Sequence, residues 1–177
     1  MNPNTNTELV ELVELVDVVD EDDRVIRVVT RAEMRAHRLR HRGVFIAVQH
    51  TDGRLLVHQR SFSKDVCPGL WDIAVGGVVA SGETYDTAAV RELAEEIGVA
   101  HVAPTPIGEG SFSDEFFVLN ARCYRVVCDG PFVFADGEVI AARWVNRADL
   151  DDLLATQRVM TDSVALLLAQ GLITVAE

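Results

Sequence analysis

Residues 77–99, GVVASGETYDTAAVRELAEEIGV, set three glutamates at helical spacing beside one arginine and bracket them between glycines. Thr84 suits the cap of a helix whose first turn carries Asp86, and Ala88, Ala89, Val90, Leu93 and Ala94 supply good helix formers or apolar filler. Gly98 is the natural stop, because glycine enters the left-handed region without a Cβ clash. On such a helix Glu92, Glu95 and Glu96 stand at i, i+3 and i+4 and share one face. Like charges so spaced destabilise a helix by about 0.2–0.5 kcal/mol per pair, and Arg91 is the segment's one cation. A solvated acidic face would account for a glutamate trio alone, but it has no need of glycines and an arginine at set distances. A divalent cation relieves the repulsion, and Mg²⁺ favours a few carboxylates together with phosphate oxygens and water. The segment therefore asks for a loop and helix that hold Mg²⁺ on a diphosphate, just after the pair Gly76-Gly77.

The segment resembles the Nudix box, Gx5Ex7REUxEExGU with U aliphatic, at every position: Gly77, Glu83, Arg91, Glu92, Leu93, Glu95, Glu96, Gly98 and Val99. At average composition such a match arises by chance about once in 10⁹ starting points. The resemblance implies an α/β (α+β) fold, an α/β/α sandwich with a mixed sheet and a box loop and helix. It implies hydrolysis of a nucleoside diphosphate linked to another group. It also implies Mg²⁺, with Mn²⁺ as a substitute, held by Glu92, Glu95, Glu96 and the Gly76 carbonyl. Gly77, Glu83 and Gly98 would then be structural, Glu83 bracing the loop. Arg91 would orient a glutamate through a charge-assisted hydrogen bond. A box carboxylate, or one from a later loop, takes the proton of the attacking water. Glu138 precedes the strand IAARWV, where many family members carry an acidic residue that helps catalysis or metal binding. The catalytic set is thus Glu92, Glu95, Arg91 and Glu138.

Outside the box, LLVHQRSFSKDVCPGLWD resembles the basic loop of the branch that includes isopentenyl-diphosphate isomerase. On that resemblance Arg60 and Lys64 match positions that anchor a diphosphate, and two cations four apart on a loop entering the glycine pair suit the task. Isomerase chemistry itself is not expected. Its cysteine position holds Gly76, the histidine after the box glycine is Val78, and its strand carboxylates align with Leu119 and Ala121. Only His41 remains of that metal set, and it reads better as a polar boundary residue. Cys67 lies one strand away and is not a nucleophile candidate. Protonating and deprotonating an alkene carbon needs two opposed acid–base groups, and the chain offers none there. A non-catalytic nucleotide sensor is disfavoured by the intact box, and a hydrolase of RNA 5′ ends by the acidic balance.

The net charge of −12 argues against a general nucleic-acid partner; the partner that the resemblance implies is a small nucleoside diphosphate derivative. Residues 30–64 depart from that balance, with eight of the sixteen Lys/Arg and four of the five histidines against Glu33 and Asp52. Such a pole draws in a compact polyanion, or it is ordinary charge segregation. At 177 residues and 49% hydrophobic content the chain is expected to be one globular unit, a partly flexible extension over 1–13 followed by a Nudix domain over 14–177. No apolar run approaches the ~18 residues of a membrane span, and the N-terminus lacks a basic leader. Three cysteines without a CxxC pair suit reduced thiols in a cytoplasmic protein. Homodimerisation is an expectation by analogy only.

Period-two runs and turn residues predict strands over 15–19, 24–29, 43–49, 54–59, 71–75, 116–127 and 139–145. The Trp71–Val75 strand is expected to end at the glycine pair. Short helices are expected from Thr30 to about Arg38, over 147–155 behind Asn146, and from a Thr161 or Asp162 cap to Gly171. Between Pro104 and Glu115 prolines and turn residues punctuate the chain, and no strand is predicted there. Asp114 and Glu115 read as turn residues that face the site or simply turn the chain.

Overall fold

The computed structural model describes residues 13–135 and 137–174. Most of the expected N-terminal extension lies outside the described residues. The strand β3 (His41–Gln49) organises the rest. It runs antiparallel to β6 (Val75–Val78) on one side and parallel to β8 (Val118–Val127) on the other, and β7 (Thr105–Ser113) closes the far edge of β8. Beyond the Asp52-Gly53 turn, β4 (Leu55–Arg60) touches β3 only at Gln49–Leu55 and then runs between β5 (Trp71–Asp72) and β9 (Val139–Val145).

Alternation along β3 separates two apolar layers. Val44, Ile46 and Val48 face the helix α2 (Tyr85–Ile97), whose Ala88, Ala89, Leu93 and Ile97 fill the space with Tyr124 and Val126. Phe45 and Ala47 face the opposite way, toward α3 (Arg147–Thr156) and α4 (Thr161–Ala169), with Leu150, Leu153 and Leu167 buried there. Helices thus cover both faces of a mixed sheet, the expected sandwich. Truncating a side chain as enclosed as Leu93, which is 1% exposed, costs about 2–5 kcal/mol.

A smaller unit straps the box loop from outside. The hairpin β1 (Leu15–Val19) and β2 (Val25–Thr30) buries Val16, Val18 and Val29 with Met34 of α1 (Arg31–Ala36). β1 bridges to the loop through Val16 and Ala80, the Ser81 amide donates to the Leu15 carbonyl, and the Ser81 hydroxyl donates to Asp17.

Four details differ from the sequence expectation. The Trp71–Val75 segment is two strands, because the chain leaves β4's side at Ile73-Ala74 and joins β3, so Gly76 and Gly77 lie inside β6 rather than beyond its end. β7 was not expected: as an edge strand it tolerates Pro106, and its register with β8 slips between Pro106 and Gly108, a bulge that hides the alternation. α1 ends at Ala36, short of Arg38; Thr30 caps it by accepting from the Glu33 amide, while the Glu33 carboxylate turns to Arg27. α4 begins without a side-chain cap, because it starts at Thr161 and Met160 holds the cap position; the Thr161 hydroxyl donates to Asp114.

Candidate active site

Arg91 gathers the box. Thr84 accepts from the Thr87 amide at 3.2 Å and starts α2, and Gly98 ends it at φ 71° with its amide on the Ala94 carbonyl. Within that frame the Arg91 guanidinium reaches back to the loop, donating Nε to Glu83 Oε1 and Nη2 to Glu83 Oε2, both at 3.0 Å. Nη2 also donates to the Val78 carbonyl, while Nη1 reaches Glu92 at 2.7 Å and Glu95 at 3.0 Å. Glu83 in turn accepts from the Ala80 amide, so one ion ties strand, loop and helix together. Gly77 lies directly under Glu92: a Cβ there would stand 2.5 Å from the carboxylate. At Gly76 a Cβ would stand 1.9 Å from the Val44 carbonyl oxygen, so the close pairing of β3 and β6 requires glycine.

Burial and crowding set the charges. Glu83 is pushed up by burial, but the Arg91 hydrogen bonds and the Ala80 amide outweigh it and hold it below the usual carboxylate range. Glu92 is raised by burial against the pull of Arg91. Glu96 is raised furthest, by burial first, then by the charges of Glu92 and Asp72. Glu95 is the open member, its side chain 59% exposed.

The charges of Arg60 and Lys64 both favour the Glu96 anion. Arg60, at the end of β4, donates to the carbonyls of Val66 and Cys67 and so shapes the 61–70 loop. Lys64 pairs with Glu138, and the Glu138 carbonyl accepts from the Ser61 amide. Two positions expected to act separately, one on substrate and one as a base, therefore meet. Other sequence candidates stand aside. His41 is buried at the start of β3 with Nδ1 on the Leu39 carbonyl rather than at a boundary. Asp114 accepts from the amides of Phe116 and Phe117 as a turn residue does. Leu119 and Ala121 are buried against α4, and burial raises the Cys67 thiol and pushes that of Cys123 up to about 11.

A buried polar set behind Glu96 escaped the sequence reading. Asp72 lies opposite His58 in the β4–β5 pairing, and Asp162 opens α4 next to them. All three are at least 91% enclosed, and the His58 Nδ1 has no hydrogen-bond partner among the described residues. Burial, then the Asp72 charge, raises Asp162 to about 7, and burial lowers His58. The only signal in sequence was Asp72 inside an otherwise apolar strand.

Among the described residues no three His, Cys, Asp or Glu side chains converge closely enough as they stand to hold a metal ion, since Glu92 and Glu95 are turned to Arg91. The donor set nonetheless fits a hard divalent cation. Its groups are oxygens only, they share one helix face over Gly77, and two of them are raised by burial and mutual repulsion that a cation relieves.

The NUDIX domain family pattern matches residues 39–164. A Yersinia pestis protein named as an uncharacterised Nudix hydrolase is 40% identical over 121 residues, which span 68% of this chain and 66% of that protein. The crystal structure of DR0079 from Deinococcus radiodurans is similar with a TM-score of 0.73 and 27% identity, covering 88% of this chain and 98% of that one. The NUDIX domain of Shewanella oneidensis NrtR, solved with ADP ribose, shares the fold with a TM-score of 0.59 at 20% identity, over 81% of this chain and 97% of that one.

Proposed function

The chain belongs to the NUDIX family, and its relatives include proteins named Nudix hydrolases; on that premise we propose that it is a Mg²⁺-dependent pyrophosphohydrolase of nucleoside diphosphate derivatives or nucleoside triphosphates. One observation carries the reading: a single arginine, Arg91, holds Glu83, Glu92 and Glu95 at once, leaving Glu92 poised over Gly77. Glu92, Glu95, Glu96 and the Gly76 carbonyl would hold the cation. Bound Mg²⁺, or Mn²⁺ in its place, would lower the pKa of a water and offset diphosphate charge.

The chain's own residues account for the rest. Arg60 and Lys64, whose charges already favour the Glu96 anion, attract the diphosphate oxygens. Arg91, braced by Glu83, fixes the orientation of Glu92. A water oxygen bonds to phosphorus, the bridging P–O bond breaks toward the leaving phosphate, and a carboxylate takes the water's proton. Glu92, Glu95 and Glu138 are the candidates for that base, Glu138 once Lys64 turns from it to the substrate. Isomerase chemistry is disfavoured because the strand facing α4 presents Leu119 and Ala121 in place of acid–base groups. We further read residues 14–177 as a single Nudix domain. Among the described residues no helix is long and apolar enough to cross a membrane.

The test is a phosphate-release panel with Mg²⁺ over nucleotide sugars, dinucleoside polyphosphates, CoA, NADH, nucleoside triphosphates and isopentenyl diphosphate. Turnover of at least one diphosphate, lost in Glu95→Gln, is expected. A wild type inert on all of them, or a Glu95→Gln variant at full rate, sinks the proposal. Water labelled with ¹⁸O then identifies the attacked phosphorus.

A further inference from the structure

The strapping unit brings more positive charge to the site than a diphosphate requires. Arg31 and Arg35 stand at i and i+4 of α1 and so share a face. Arg35 pairs with Asp65 at 3.5 Å, which turns that face toward the 61–70 loop carrying Lys64 and shaped by Arg60. Arg31 donates Nη1 to Glu14, while its Nε lies buried with no acceptor among the described residues. The Arg31 charge reaches Glu92, and Arg35 lies within range of Arg60.

The partners of these cations are weak holders. Glu14, Asp65 and Glu138 have side chains 63%, 84% and 44% exposed. Exposed ion pairs contribute about 0–1 kcal/mol, so an incoming polyanion displaces them at little cost. Arg60 and Lys64 already suffice for one diphosphate shared with a divalent cation. Two more guanidiniums on the same side match roughly two more negative charges.

We propose that Arg31 and Arg35 extend the Arg60–Lys64 pair into a cationic wall that takes phosphate beyond the cleaved diphosphate, making the preferred substrate class a nucleotide with three or more linked phosphates. The substrate assignment rests on the hydrolase reading above; the anion site does not.

Calorimetric titration of inorganic tripolyphosphate and pyrophosphate in EDTA tests the site without turnover. Wild type is expected to bind tripolyphosphate more tightly, with a steeper loss on raising salt. Arg31→Gln and Arg35→Gln should each weaken tripolyphosphate about tenfold, roughly 1.4 kcal/mol, while pyrophosphate changes less than twofold. Arg147→Gln on distant α3 serves as the control and should leave both affinities unchanged. Equal affinities and salt slopes for the two anions in wild type, a reading that needs no variant, overturn the wall. So does undiminished tripolyphosphate binding in the folded double variant. If the wall passes while the substrate panel shows no turnover, the hydrolase reading fails and the anion site stands.

Discussion

Glu83 and Arg91 face each other through two parallel hydrogen bonds, Nε to Oε1 and Nη2 to Oε2, each 3.0 Å long. A fork of this kind holds an angle as well as a distance, which lysine cannot reproduce. Arg91→Lys is therefore expected to lower kcat about a hundredfold, because small misplacements of a catalytic group cost rate on that order. Glu83→Gln loses a charge-assisted contact and should cost about 1.5–3 kcal/mol of stability. Steady-state kinetics and urea unfolding check the two.

The glycine pair should separate fold from function. Gly76→Ala drives a Cβ into the Val44 carbonyl oxygen and splits β3 from β6. Its cost should reach at least about 3 kcal/mol, the upper range for overpacking. Gly77→Ala meets first the flexible end of the Glu92 side chain, so the protein should fold while kcat/KM falls about a hundredfold. Circular dichroism with kinetics on both variants distinguishes the outcomes; a fully active Gly77→Ala would remove Glu92 from the site.

Helix α2 and its loop were legible in sequence for a physical reason: Thr84, Gly98 and the glutamate spacing act within a few residues of one another. What lay hidden depends on distant chain. Lys64 and Glu138 meet across 74 residues, and nothing local to either announces it. Asp72 is buried where the chain changes partner at Ile73-Ala74, and α4 starts at Thr161 itself, which leaves Met160 at the cap position. In β7, Pro106 and the bulge erase the alternation that would have marked a strand.

Metal should act on stability as well as rate. Mg²⁺ is expected to raise Tm with concentration, and EDTA to reverse it. Glu96→Gln removes a carboxylate that burial and its neighbours disfavour as an anion. That variant should be more stable than wild type without metal, by about 1 kcal/mol or 2–4 °C at this size, yet show no Mg²⁺ shift. A preserved Mg²⁺ shift in Glu96→Gln would exclude Glu96 as a ligand.

Asp162 predicts a pH dependence of the fold. Its folded pKa of about 7 exceeds the ordinary value of 3.8, because burial and Asp72 disfavour the anion. The folded state holds that proton more tightly, so its contribution is complete below about pH 4 and is lost as pH rises through about 7. Asp162→Asn should match wild type near pH 4 and exceed it at pH 8 by on the order of 1 kcal/mol. Thermal unfolding at the two pH values measures the crossover, and equal curves at pH 8 would refute it.

The parallel pairing of β3 with β8 has a consequence in time. His41 meets Leu119 only after the loop, α2 and β7 have all been threaded between them. Closing so long an excursion carries a large entropic cost before any contact repays it, and high contact order slows folding. A nascent chain released through residue 99 already carries every box residue, yet lacks the strand that completes the sheet beneath them. Competence for chemistry would then arrive late and all at once, with the closing of the sheet, so that recovery of activity on refolding doubles as a clock for the last step of the fold.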